Sequence, residues 1–432
     1  MKIIKKISKK NAFISLLTMS LMVMFSSTAL GQPKTLKIGV VTFLTGAAAD
    51  PVGIPVRNAA QILIEEINAG RVPEPYASKG FAGAEIKHIF IDENSKDRVS
   101  DYRELIDKER VDMIIGYISS ASCKSISPLA EEKKMLTIFA ICGSASIFEE
   151  VNTRPDYVFR TTSHVTMDNV AAAKYVLDLD QGVTSIAGVN QDYNFGHGSW
   201  GDFSKTMSIL NKKVVKKTAH FPKIFAGRYA KELSSLTNET PSVVHSSFWG
   251  GDLEALVVQG GVDRVFSRSR LILTIGDAAM HRLGPQIPDG TIIGARGTTG
   301  QLAEDSTLNR WFKQVYFQRF GAFPISSAYH MAQAILGVKA AADKAESVSS
   351  EAIKTQLKGS TFVTPSGQVS MELAGGNQAI IDAAYGTYRY DKSKGRGQLV
   401  NIKRYPAKCI NPPLGIKSAD WIESEFSGST CL

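Results

Sequence analysis

Short apolar, β-branched runs alternate along most of the chain with longer stretches whose apolar residues recur at helical spacing. Residues 37–43, Lys-Ile-Gly-Val-Val-Thr-Phe, read as a strand that runs into the small-residue loop 44–49. A helix is predicted next. Pro55 suits its first turn, Val56, Ala60, Leu63 and Ile67 share one face, and Gly70 stops it. The unit then repeats, with strands over 86–91, 111–115 and 135–141, a polar helix over 97–108, a loop over 116–123 leading to a helix that ends near Glu132, and a loop over 142–146. The pattern restarts after Arg160: helix 168–179, strand 184–189, loop 190–196, helix 198–210, strand 214–220, helix 225–236, strand 243–247, loop 248–252, a helix to Gln259, and strand 271–275 ending at Gly276-Asp277. Strand 291–295, helices over 306–320 and 328–345, and short strands over 367–371, 386–390 and 399–405 follow. Strands that are apolar throughout and alternate with helices predict parallel sheets covered on both faces. The chain therefore carries two βα arrays in series, and its late β-rich segments suggest a return between lobes.

The N-terminus has a different pattern. Lys2, Lys5, Lys6, Lys9 and Lys10 precede an apolar run from Phe13 to Phe25, and small residues follow at Ser27, Ala29 and Gly31. A charged segment followed by an apolar stretch too short to span a bilayer comfortably is the form of an export signal, with cleavage after Ala29 or Gly31. An uncleaved membrane anchor is the competing reading. The formal charge of +9 would by itself suggest a nucleic-acid partner. Removing residues 1–31 takes away five lysines and no acid, which lowers it to +4. The remaining basic run, Lys212-Lys213-Val-Val-Lys216-Lys217, alternates like a solvated strand edge, so nucleic acid is not expected as a partner.

Export also changes the reading of the cysteines, since thiols outside the cytosol tend to be oxidised. Proximity favours Cys123 with Cys142 and Cys409 with Cys431, although sequence alone does not fix connectivity. No CxxC or HExxH is present and the seven histidines are scattered, so neither a metal nor a cofactor is expected. A serine or Cys123 acting as nucleophile would need a base within reach, but no GxSxG elbow is present and no histidine lies on the loops carrying Ser120 and Cys123. An enzyme is not the expected outcome.

Ligands of open parallel sheets sit beyond the C-terminal strand ends, here the loops after Phe43, Ile115, Ile141, Val189, Ser247 and Ile275. The first array offers Thr45, Ser119, Ser120, Ser122 and Ser144, hydroxyls suited to an anion such as a carboxylate. The second offers Asp192, Tyr193, Phe195, Trp249, Asp252 and Asp277, and carboxylates with aromatic faces suit a cation. An amino acid, carrying both charges, would satisfy both lobes. Each residue also has a plainer reading: serine and glycine are ordinary loop residues, Trp249 suits a core rim, and Asp252 and Asp277 are well placed to cap the helical runs that follow them.

The order of Lys37-Ile-Gly-Val-Val, Leu44-Thr-Gly46, Gly116-Tyr-Ile-Ser-Ser120, Tyr157-Val-Phe-Arg-Thr-Thr162, Gln191-Asp-Tyr-Asn-Phe-Gly196, Trp249-Gly-Gly-Asp252 and Gly376-Asn-Gln378 resembles the periplasmic substrate-binding proteins of branched-chain amino acid ABC transporters. The resemblance implies an α/β protein with the type I periplasmic-binding-protein fold: two Rossmann-like, doubly wound lobes joined by three crossovers and closing on ligand by hinge motion. The implied organisation is a signal peptide over 1–31, lobe 1 over 32–161 plus 292–362, and lobe 2 over 162–291 plus 363–432. It further implies a monomeric periplasmic receptor that passes an amino acid or related small amide to a membrane permease; a sensory ligand-binding protein of the same fold is the alternative. Carried over residue by residue, Ser120 holds the ligand carboxylate with Ile118 and Ser119 alongside, Phe195 or Tyr193 closes over it, and Asp277 pairs with the ammonium. The family's threonine on the next loop falls near Gly143 or Ser144, a departure that puts that hydroxyl contact in doubt. Asp252 stands where a tyrosine is common, which would favour a more polar or basic ligand.

Overall fold

A computed structural model describes residues 35–429 and 431. The expected export signal and its cleavage site lie outside those residues. Among the described residues no helix is long and apolar enough to cross a membrane.

The first array supplies strands β1 (Thr35–Thr42), β2 (Glu85–Asp92), β3 (Met113–Gly116), β4 (Thr137–Phe139) and β5 (Val158–Arg160), with helices α1 (Ile54–Ala69), α2 (Arg98–Asp107) and α3 (Ser120–Lys133) between them. The second supplies α4 (Val165–Leu179), β6 (Ser185–Val189), α5 (Asn194–Leu210), β7 (Val215–His220), α6 (Ala230–Glu239), β8 (Val243–Ser246), α7 (Gly251–Val262), β9 (Arg270–Leu273), the one-turn α8 (Met280–Leu283) and β10 (Ile292–Gly294). There follow α9 (Thr307–Phe320), α10 (Ser326–Ala345), α11 (Ser350–Leu357), β11 (Thr361–Thr364), β12 (Gly367–Leu373), β13 (Gln378–Ile380), β14 (Ala383–Asp391), β15 (Arg396–Tyr405) and α12 (Ser418–Glu423).

These strands form two sheets, ordered β2-β1-β3-β4-β5-β13-β12-β11 and β7-β6-β8-β9-β10-β14-β15. The first five strands of each run parallel in the same doubly wound order, so each sheet reverses winding direction between its first and third strands. Central strands such as β3, β4, β6 and β8 are buried along their whole length, which explains their unbroken apolar character. The edge strand β7 carries Lys216, Lys217 and Thr218 because it is largely solvated. Among the described residues four apolar clusters form the core, two for each sheet.

The sheet memberships shift the expected lobe boundaries. β10 pairs in parallel with β9, so residues 292–294 belong to the second sheet. Residues 361–380 fold as a hairpin plus one further strand, and β13 pairs with β5 at Gln378 and Arg160, extending the first sheet. β11 and β13 are too short to leave a periodic signal. Helix α5 begins at Asn194, four residues before its predicted start, and so takes up part of the expected loop 190–196. Helix α4 begins at Val165, three residues before its predicted start, where the His164 side chain caps it by accepting from Thr166 N.

Candidate functional site

The switch points of the two sheets face each other, and a narrow cavity lies between their loops. From the first sheet come Val52, Ile118, Ser120, Ile141 and Gly143. Ser120 opens α3, and its hydroxyl accepts from Gly143 N at 3.1 Å and Ser144 N at 3.0 Å, joining the loops after β3 and β4. Its proton has no acceptor among these bonds and is available to donate into the cavity. Ser119 and Ile118 turn their amides away, to the buried carboxyl of Glu93 at 2.9 and 2.7 Å. Burial pushes Glu93 up to about 7 against the stabilising effect of those two amides.

The second sheet contributes an aromatic wall of Tyr193, Phe195 and Trp249. Trp249 Nε1 donates to the Tyr193 hydroxyl at 2.7 Å, and the indole packs at 5.9 Å from Phe43 and 5.4 Å from Phe225. Trp249 is thus both a cavity wall and a rim of the core. Gly143 faces this wall closely: a Cβ there would stand 2.6 Å from Arg296 Nη2 and 2.7 Å from Phe195 Cε2. A side chain as large as threonine at Gly143 is therefore opposed on steric grounds.

Of the sequence-derived candidates, Thr45, Ser119, Ser122, Ser144, Asp192, Asp252 and Asp277 lie off the lining. Thr45 is exposed and donates to Asp92 at 2.5 Å. The Ser144 hydroxyl bonds Ser146 at 2.8 Å. Asp252 is buried in the first turn of α7 and is saturated by Gln191 Nε2 and Phe225 N at 2.6 Å each, Gly227 N at 3.3 Å and the Tyr229 hydroxyl. It therefore anchors the segment after β7 rather than offering a lone pair to a ligand, and the residue preceding α7 is Gly250, not Asp252. Asp192 is exposed and pairs with His197 at 2.7 Å. Asp277 stands next to the lining residues Ala278 and Ser326. Its Oδ2 accepts from Ser326 N at 2.8 Å, at the positive end of α10, while Oδ1 has no partner. Burial pushes this carboxyl up to about 7.

Arg296, Ser326, Ser327 and His330 also line the cavity and were not read from the sequence. Arg296 follows β10 and so lies at a C-terminal strand end, the same rule that located the other loops; it was missed with that loop. Its Nε donates to Asp168 Oδ2 at 3.1 Å, Nη2 to Ser163 O at 2.6 Å and Nη1 to Ile141 O, and the guanidinium lies 5.5 Å from the Phe195 ring centroid. His330, on α10, bonds the Arg296 carbonyl through Nε2 at 2.8 Å. A carbonyl only accepts, so Nε2 carries the proton and Nδ1, which has no partner, is a bare acceptor. Burial lowers this imidazole to about 3, keeping it neutral. The cavity thus presents the free Ser120 hydroxyl proton and the Arg296 guanidinium, and beside the start of α10 the acceptors His330 Nδ1 and Asp277 Oδ1.

Cys123 and Cys142 lie at disulfide distance, as do Cys409 and Cys431, with Cα separations of 6.5 and 5.2 Å. Among the described residues no group of three or more His, Cys, Asp or Glu is placed to hold a metal ion.

The sequence profile of the periplasmic binding protein family matches residues 35–394. The leucine-, isoleucine-, valine-, threonine- and alanine-binding protein of Pseudomonas aeruginosa is 23% identical over 350 residues, covering 79% of this chain and 87% of its own length. Among solved structures, a leucine-binding protein from Thermotoga maritima superposes with a TM-score of 0.71 at 18% identity, covering 85% of this chain and 98% of its own. A solute-binding protein of an ABC transporter from Rhodopseudomonas palustris BisB5, in complex with 3,4-dihydroxybenzoic acid, superposes with a TM-score of 0.72 at 18% identity, covering 86% and 98%. The doubly wound sheets, the facing switch points and the match over residues 35–394 agree: the chain belongs to the periplasmic binding protein family.

Proposed function

We propose that the chain is the solute receptor of an ABC importer and that its cavity takes a small carboxylate that also carries a hydrogen-bond donor, an amino acid first among them. The observation that carries this reading is the polarity of the walls. The Ser120 proton and Arg296 suit a carboxylate, while His330 Nδ1, with Asp277 Oδ1 beside the start of α10, suits an ammonium. The ligand's apolar part lies against Tyr193, Phe195 and Trp249. The receptor performs no chemistry, closes around its ligand as a monomer and passes it to a membrane permease, with the expected export signal directing it to the periplasm.

The aromatic wall favours one second reading, a hydroxybenzoate, whose phenol would fill the donor role at Asp277 and His330. Calorimetric titration with amino acids, amides and hydroxybenzoates tests both, and silence across all three groups removes the proposal. The pH dependence separates them. An ammonium draws a proton off Asp277, so amino-acid affinity rises as pH climbs through about 7, whereas a phenol gains nothing from that ionisation beyond an exchange of hydrogen-bond roles.

A further inference from the structure

A second cavity, of about 290 Å³, lies at the first crossover between the sheets, on the other side of the loop that carries Gly143 and Ser144. Its polar wall is Arg160 and His164. Arg160 is 1% exposed. Its Nη1 donates to Ser144 O at 2.7 Å and Cys142 O at 3.2 Å and its Nε to Gln378, but Nη2 has no acceptor and the guanidinium forms no ion pair with any described residue. Its nearest opposite charges, Glu149 and Asp168, act on it only through space, and the guanidinium lies 5.3 Å from the Phe148 ring centroid, so burial of this cation is only partly offset. His164, 2% exposed, accepts from Thr166 N through Nδ1 at 3.3 Å, so in the neutral ring the proton is on Nε2, a donor that also has no partner. The Glu149 carboxylate at the edge is already engaged by the Ser418 amide at 3.1 Å and hydroxyl at 2.6 Å. Phe148, Leu373, Pro412 and Leu414 supply apolar walls, with Lys417 at the mouth.

Two buried donors lacking acceptors, facing a cavity with apolar sides, define the chemistry of the missing partner. We propose that this crossover cavity is a second ligand site, for a small carboxylate with an apolar body, its anion held by Arg160 Nη2 and His164 Nε2 and its body against Phe148 and Leu373. The walls come from both halves of the molecule: residues 145–153 and 373–378 belong with the first sheet, and residues 412–417 follow the last strand of the second. Occupancy therefore acts on the hinge, and Arg160 links the site to the main cavity through the carbonyls either side of Gly143.

Crystals of the chain soaked with 4-bromobenzoate give a readout that keeps the two cavities apart. A bromine anomalous peak within the Phe148, Leu373 and Leu414 walls is expected, whatever appears in the main cavity. In solution, calorimetry with the same compound is expected to show a component weakened at least tenfold by Arg160→Gln. Because Arg160 also holds two carbonyls and its variant risks the fold, Leu414→Glu, on an exposed loop at the mouth, provides the second arm, with an expected weakening of at least fivefold and no bromine peak in the crossover cavity. Absence of the peak from wild-type crystals, or a binding isotherm unchanged by Leu414→Glu in the folded chain, overturns the assignment.

Discussion

Gly143 shows how tightly a single position is constrained. The space a side chain would need is filled by Arg296 and Phe195, which themselves bind the two halves together, so a threonine there cannot be accommodated by rotating one flexible tip. Gly143→Thr is expected to cost about 1–3 kcal/mol by overpacking and to weaken ligand binding more than tenfold; denaturant melts alongside calorimetry check both, and unchanged affinity would show that the cavity does not close in this geometry. Glu93 makes a different kind of prediction. Its native value of about 7 lies above its ordinary 4.5, so the folded chain holds that proton more tightly than the unfolded one. The associated stability is present below pH 4.5 and is lost as pH rises through 7, on the order of 3 kcal/mol in total. Glu93→Gln should flatten that slope, as measured by urea midpoints between pH 4.5 and 8. At this scale the sequence was legible for Ser120, Tyr193, Phe195 and Trp249, which sit at strand ends by the switch-point rule. Glu93, Arg296 and His330 were not, because their roles depend on which carbonyls and amides the tertiary fold brings to them.

Elements were easier to read than residues where burial imposes a period, and harder where it does not. The strands of the parallel core were recognisable as apolar runs, while β11 and β13, of four and three residues, carry no period and needed their partners to exist. Helix α5 hid its first turn because Tyr193 precedes it without a side-chain cap bond and Asn-Phe-Gly reads as a turn. The element most dependent on a covalent device is the start of α3. Cys123, in its first turn, is paired with Cys142 beside the loop that Ser120 also holds, over a sequence separation of 19. A bridge closing a loop of that length stabilises by about 3 kcal/mol on the chain-entropy account. Paired Cys123→Ser and Cys142→Ser substitutions should lower the melting temperature and weaken ligand binding, whereas Cys409→Ser with Cys431→Ser should lower only the first. Peptide mapping of the unreduced chain checks the pairing directly, and four free thiols would remove the argument.

For the whole molecule, the decisive contact is the buried pair of Arg296 and Asp168. The guanidinium reaches Ile141 of the first sheet's loops, Ser163 of the first crossover and Asp168 of α4, while its own carbonyl receives His330 of α10. Replacing Arg296 by Met leaves Asp168 buried without its cation, and a loss of about 3–5 kcal/mol is expected from chemical denaturation. Loss of less than about 1 kcal/mol would mean that the crossovers hold their geometry without it. Asp168→Asn keeps the shape and weakens only the charge, so its cost should be smaller. The two-sheet architecture was legible from the serial βα arrays, but the lobe boundaries were not, because sheet membership is decided by strand pairing and not by order along the chain.

That interleaving bears on how the chain is made. The first sheet lacks β13, β12 and β11 until residue 380 has been synthesised, and the second lacks β14 and β15 until residue 405. A nascent chain emerging from the ribosome can form the five parallel strands of its first half early, yet Arg160 and the β5 edge stay open until nearly nine-tenths of the protein exists. Neither half is a contiguous stretch that could be cut out and expressed alone. Delayed completion keeps the polypeptide threadable until late in synthesis, and it leaves an unpaired strand edge exposed for most of that time.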